Sequence, residues 1–245
     1  MATVDSLRYI YNMIDLFNTS NLGLTDTAAL AYLLIGWFSI GYLVENPPAK
    51  RPSVAILMNS YRREWMRQFV TRQPRIFDAS VMDSLRQGTS FLASATMIAI
   101  GGGVALIGNT DRLSDIAEDL TLSATSAAVW ETKIIVVLLF LTNAFLKFVW
   151  SNRLFGYCAI VMAAVPNDPD DPLAYDRAAQ AAAINIAAAR SFNRGLRSVY
   201  FALGALAWVL GPEALALATT ATLIVLWRRE FASASRRILC QSTPK

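Results

Sequence analysis

The chain has 245 residues, a formal net charge of +4, 55% hydrophobic and only 16% charged residues. A soluble domain carries about 25% charged residues, so this composition points to an integral membrane protein. Histidine is absent and there are two cysteines, which excludes His-based triads, imidazole-bound haem, His-ligated zinc, four-cysteine metal sites and imidazole pH switches built from this chain alone.

In chain order, Val4, Leu7, Tyr11, Ile14 and Phe17 recur at helical spacing opposite Asp5, Arg8, Asn12 and Asp15. This predicts an interfacial amphipathic helix over 4–17. No cleavable signal is expected, because the first apolar run starts only at Thr25 and acidic residues precede it. That run reaches Val44, about 20 residues, enough to cross roughly 30 Å of hydrocarbon. Asn46-Pro47-Pro48 stops it. Residues 53–72 repeat the amphipathic pattern, with Val54, Leu57, Met58, Tyr61, Trp65 and Phe69 opposite Arg62, Arg63 and Arg67. Two surfaces fit this helix equally: anionic lipid, worth about 1 kcal/mol per nearby basic residue, or the protein's own inner face.

A second, uncharged apolar run spans Gly88–Gly108. Its Gly101-Gly102-Gly103 follows no strand and precedes no Lys-Ser/Thr, so it reads as a close-packing feature rather than a phosphate loop. A third run begins at Lys133 and continues as helix past Asn143, Lys147 and Arg153 to Val165, where Pro166 breaks it. The polar turn Asn167–Pro172 leads into an alanine-rich helix from about Leu173. Residues 154–197 are thus expected as an antiparallel helix pair extending into the cytoplasm. The last apolar region, Val199–Trp227, is broken by Gly211-Pro212-Glu213. It reads as a short hairpin or as one kinked span.

Lys and Arg near span ends stay on the cytoplasmic side. The segment 45–87 holds Lys50, Arg51, Arg62, Arg63, Arg67, Arg72, Arg75 and Arg86, whereas 109–132 holds only Arg112 among five acidic residues. The N-terminus is therefore expected outside and the 45–87 and 154–197 segments inside. The basic tail after Trp227 favours the hairpin and a cytoplasmic C-terminus. Cys158 and Cys240 then face a reducing compartment and are expected as thiols. The fold class is all-α: a single polytopic membrane domain over 1–245, with three long spans, the C-terminal hairpin or kinked span, and the helix pair.

Ionisable residues at membrane depth are candidates for function. Asn143, Lys147 and Trp150 share a helical face, and Lys147 lies roughly 21 Å beyond Lys133 at 1.5 Å per residue. Arg190, Arg194 and Arg197 also stack on one face. Together with Arg86 and Arg153 they are expected to converge on the inner mouth, where they could take an anionic solute, lipid headgroups or an acidic partner. Plain cytoplasmic anchoring accounts for the same arginines, and Lys147 could equally reach the interface through its long stem.

Arg86-x-Gly88-Thr89-Ser90-Phe91-x-Ala93-Ser94 resembles the hallmark of a membrane-protein family, domain of unknown function 599. Lys147-Phe148-x-Trp150-Ser151-x-Arg153 with Tyr157-Cys158, the run from Phe192 to Phe201, and Arg228-Arg229-Glu230-Phe231 are similar to its other signatures. The resemblance implies a multi-pass bacterial inner-membrane protein and transfers no catalytic residue, cofactor or metal. Two functions follow from the residues: an oligomeric channel or binding protein for a small anion, or a non-catalytic scaffold subunit of a larger membrane complex. Expected partners are membrane lipids, anionic ones among them, and further copies or subunits. No nucleic acid is expected, and neither is an enzyme, since no nucleophile–base pair can be named.

Overall fold

The computed structural model describes residues 22–107 and 127–241. The helix expected at 4–17 and most of the acidic 109–132 segment lie outside the described residues. All regular structure among the described residues is helical: α1 Leu24–Glu45, α2 Val54–Thr71, α3 Ile76–Ile107, α4 Ala127–Ala163, α5 Ala174–Leu206, a 3-10 turn Ala207–Leu210, α6 Pro212–Phe231 and α7 Ala234–Gln241. Three helices are long and apolar enough to cross a membrane: α1, α3 and residues Val129–Ala163 of α4, with mean hydropathies of 1.7, 1.9 and 2.1.

Local chemistry sets the boundaries. The hydroxyl of Ser53 donates to the Val44 carbonyl (2.7 Å) and accepts the Ile56 amide (3.3 Å), closing α1 and capping α2 with one side chain. Between α4 and α5, Asp168 and Asp171 accept the amides of Asp170 (3.0 Å) and Leu173 (2.8 Å), holding a proline-punctuated turn. Gly211 at φ 120° and ψ 169° reverses the chain before Pro212, which opens α6 at a position where no amide is required.

Helices α4 and α5 run antiparallel along a shared seam. Asn143 donates to Ser198 (2.7 Å), Ser191 to the Lys147 carbonyl (2.9 Å), Ser151 to the Ala188 carbonyl (2.8 Å) and Cys158 to the Ala181 carbonyl (3.3 Å). Ala178, Ala181, Ala182, Ala188 and Ala189 of α5 are buried. A Cβ on Gly195 would lie 2.9 Å from the Phe148 ring and 3.1 Å from the Ala144 carbonyl. Small residues thus set the spacing, as in other close helix pairs. At 37 residues α4 is about 55 Å long, well beyond the roughly 30 Å hydrocarbon layer.

The core has two parts. One joins α1, α6 and the facing halves of α4 and α5 around Leu33, Phe140, Phe201, Trp208 and Leu215. The other joins α2, the start of α3 and the far halves of α4 and α5 around Met66, Met82, Phe155, Met162 and Ala178. Helix α2 therefore lays Met66, Phe69 and Val70 against the protein itself. At one end of the first core, Trp208 donates to Asp26 (2.6 Å). At the other, α1 stops at Glu45, and the Ala55 amide at the start of α2 donates to Glu230 near the end of α6 (3.1 Å). No disulfide joins Cys158, which is buried, to Cys240.

Candidate functional site

Glu45 is the carboxylate in the last turn of α1, which is uncharged between it and the first turn that holds Asp26. Two arginines from α5 converge on it. Arg194 donates Nε to Glu45 Oε1 (2.8 Å) and also reaches Oε2, and Arg197 donates to Oε1 (2.5 Å). Spacing by three residues places both guanidiniums on one face of α5. Arg197 is only 8% exposed, so its charge depends on this pairing.

The Glu45–Arg197 pair forms a wall between two cavities. The larger, about 450 Å³, lies between α1, α4 and α5 and is lined by Trp37, Gly41, Tyr42, Asn46, Asn143, Lys147, Arg194 and Arg197. Three cations therefore meet one carboxylate, and that carboxylate is already bonded to both arginines. Among the described residues Lys147 has no ion-pair partner. Its neighbours Tyr42, Glu45 and Asn46 sit at the end of α1, so Lys147 lies level with the end of that helix and not with its middle. Further toward the Asp26 end, Trp37, Phe140 and Phe201 pack ring against ring, with centroids 5.3 Å and 6.1 Å apart. This aromatic layer is apolar and closely packed.

The smaller cavity, about 250 Å³, lies on the other side of the pair between α2, α5 and α6. Arg190 lines it with Arg62 and Arg229. Arg62 donates to Asn185, whose amide in turn reaches Cys158 (3.7 Å), and its Nε is buried with no hydrogen-bond partner. Burial pushes the Arg62 pKa below its usual value; the guanidinium still holds its charge.

The expected convergence of five arginines at one mouth gives way to four separate places. Arg194 and Arg197 flank Lys147, while Arg190 turns to the second cavity. Arg153 bonds the hydroxyl of Tyr157 one turn along α4 (2.5 Å) and stacks on its ring. Six residues beyond Lys147, it points from a different face of the helix. Arg86 lines a groove near the α4–α5 turn with Phe69, Arg75 and Asn167, because α3 begins at Ile76 and Arg86 rides on its first part.

Several polar residues outside the expected set carry the architecture. Asp78 is fully buried and accepts from Trp65 (2.7 Å) and Arg72 (2.5 Å). Arg75 donates to the carbonyls of Val165 and Pro166 (both 2.8 Å), tying the α2–α3 corner to the end of α4. Lys133, 7% exposed, rests over the rings of Trp130 (5.0 Å) and Trp208 (6.0 Å). Glu45 itself had a sequence signal: two arginines one turn apart near a span end require a counterion, and Glu45 is the acidic residue closing the first span. No group of three or more metal-ligating side chains occurs among the described residues.

The profile of a protein family described as "Protein of unknown function, DUF599" matches residues 28–235. No curated protein and no solved structure matches the chain.

Proposed function

The chain belongs to the DUF599 family, and from that footing we propose that it is a multi-pass protein of the bacterial inner membrane that binds a small anion in the Lys147 cavity. The Glu45 end faces the cytoplasm, as do the α4–α5 extension and the C-terminus, and the reversal at Gly211 supports a hairpin over a single kinked span. The basic residues of 45–87 support this orientation, because they cluster where retention on the cytoplasmic side places them. The observation that carries the binding reading is the charge at the cavity: Lys147, Arg194 and Arg197 face a single, fully engaged carboxylate. Low-dielectric walls concentrate that field and favour an anion. The apolar layer of Trp37, Phe140 and Phe201 supports a binding site over a permanently open pore.

The test is thermal denaturation of the purified protein in mild detergent, titrated with chloride, nitrate or sulfate at constant ionic strength. A ligand bound only by the native state raises the melting midpoint with concentration. The wild type is expected to show a saturable rise with at least one anion, and Lys147→Met to lose it. No anion-specific rise in the wild type would overturn the reading.

A scaffold reading draws on α3. Only 6% of the residues in its most apolar stretch are buried among the described residues, so most of that helix face is left to lipid or a neighbouring subunit. Light scattering of the detergent-solubilised protein distinguishes the two: a monomer leaves that surface to lipid, and a defined oligomer assigns it to a protein neighbour.

A further inference from the structure

We propose that the second cavity, between α2, α5 and α6, is a separate site for a phosphate group. Arg62, Arg190, Arg197 and Arg229 line it beside two carboxylates, Glu45 and Glu230. Glu45 holds Arg194 and Arg197, and Glu230 accepts the Ala55 amide and sets its charge against Arg197, so four guanidiniums still face two carboxylates. The remaining guanidiniums have only neutral partners. Arg62 bonds the Asn185 amide oxygen and keeps a buried Nε without any partner, and Arg229 bonds the Tyr200 hydroxyl. Arg190 has no ion-pair partner among the described residues.

Three guanidiniums around one small space suit a tetrahedral oxyanion. Each presents a planar fork of donors, and several forks can address different oxygens of one phosphate. A volume of about 250 Å³ lies below the roughly 300–1,000 Å³ of pockets that enclose drug-sized molecules. It takes a phosphate or a headgroup fragment and leaves any larger moiety outside. The cavity opens where α1 ends and α2 begins, at the level of the span terminus, where phospholipid headgroups lie. The same chemistry therefore fits a phospholipid phosphate or a free phosphate from solution.

The site is independent of the Lys147 cavity, since Arg62, Arg190 and Arg229 do not line that space. Two probes separate the sources. In detergent, inorganic phosphate is titrated against the melting midpoint at constant ionic strength. In parallel, native mass spectrometry measures retention of phosphatidylglycerol after release from nanodiscs containing equal phosphatidylglycerol and phosphatidylcholine. Arg190→Gln and Arg229→Gln alter exposed side chains, and a wild-type melting midpoint without ligand verifies that each folds. Arg86→Gln removes an equal charge elsewhere, and Lys147→Met empties the first cavity of its lysine.

Binding of either probe by wild type, weakened about tenfold in Arg190→Gln and in Arg229→Gln but not in Arg86→Gln or Lys147→Met, supports the site. Response to inorganic phosphate assigns a soluble source, and selective phosphatidylglycerol retention alone assigns lipid. Failure of both probes, or an equal loss in Arg86→Gln, overturns the proposal. Loss in Lys147→Met with none in Arg190→Gln also overturns it and leaves the Lys147 reading standing.

Discussion

Glu45 and Lys147 face the same cavity with opposite consequences for stability. Glu45 joins Arg194 and Arg197, and Arg197 is almost wholly buried. Removing one partner of a buried pair strands the other charge, which costs about 3–5 kcal/mol. Glu45→Gln is therefore expected to destabilise the protein by about 3 kcal/mol, near the low end of that range, because the carboxylate is 18% exposed. Denaturant titration in detergent would measure the loss. Lys147 pairs with no carboxylate among the described residues, so Lys147→Met, which keeps the length and removes the charge, is expected to leave stability within about 0.5 kcal/mol. A loss of several kcal/mol in that variant would mean that Lys147 holds a structural ion pair. The shared helical face of Arg194 and Arg197, and that of Asn143 and Lys147, was legible in the sequence from their spacing. The arginines' need for a counterion was legible too, but the pairing with Glu45 was not, since Glu45 lies 149 positions from Arg194 and only tertiary packing joins them.

Helices were the most legible level. Asn46-Pro47-Pro48 and Pro166 end α1 and α4 by removing amides and blocking helical continuation. Apolar runs understate the helices, however: α3 begins at Ile76, twelve residues before the apolar run at Gly88, because a helix carries Asp83 and Arg86 as readily as leucine. Periodicity likewise revealed that α2 has an apolar face but left its partner open between lipid and protein. The partner is α5 and the surrounding core. Two glycines test the packing directly. Gly195→Ala places a methyl 2.9 Å from Phe148 and 3.1 Å from the Ala144 carbonyl, and the backbone there cannot yield cheaply. A loss of about 1–3 kcal/mol is expected, as for other overpacked seams. Gly211→Ala forces a side chain into a backbone region that is essentially glycine-only, costing about 1–3 kcal/mol at the reversal before α6. Thermal melts of both variants, compared with Gly88→Ala where a Cβ meets open space, separate these effects from ordinary helix propensity.

For the molecule as a whole, the distribution of basic residues and the two-part core support one arrangement. In the proposed arrangement the first core occupies the bilayer, and the second extends from it along α4, α5 and α2. The orientation proposed from the positive-inside rule has a cytoplasmic C-terminus, so alkaline phosphatase fused after Lys245 is expected to be inactive, and high activity would reverse the orientation. Arg86 and Arg153, expected at the same mouth, stand apart from it, because rotation about α3 and α4 is fixed by seam residues such as Gly195 and Met82 and not by the charges. The most direct test of an anion-selective cavity open to the cytoplasm is the reaction of a thiol placed at its rim. Asn46 is exposed and lines the cavity, so Asn46→Cys in a Cys240→Ser background offers that thiol while Cys158 stays buried. Inside-out vesicles would be treated with anionic and cationic thiosulfonate reagents of similar size, each rate being normalised to that of Cys240 in the wild type. The anionic reagent is expected to gain several-fold over the cationic one, with the gain reduced when Lys147→Met is added. Equal normalised rates, or labelling only from the opposite side of the membrane, would contradict the account.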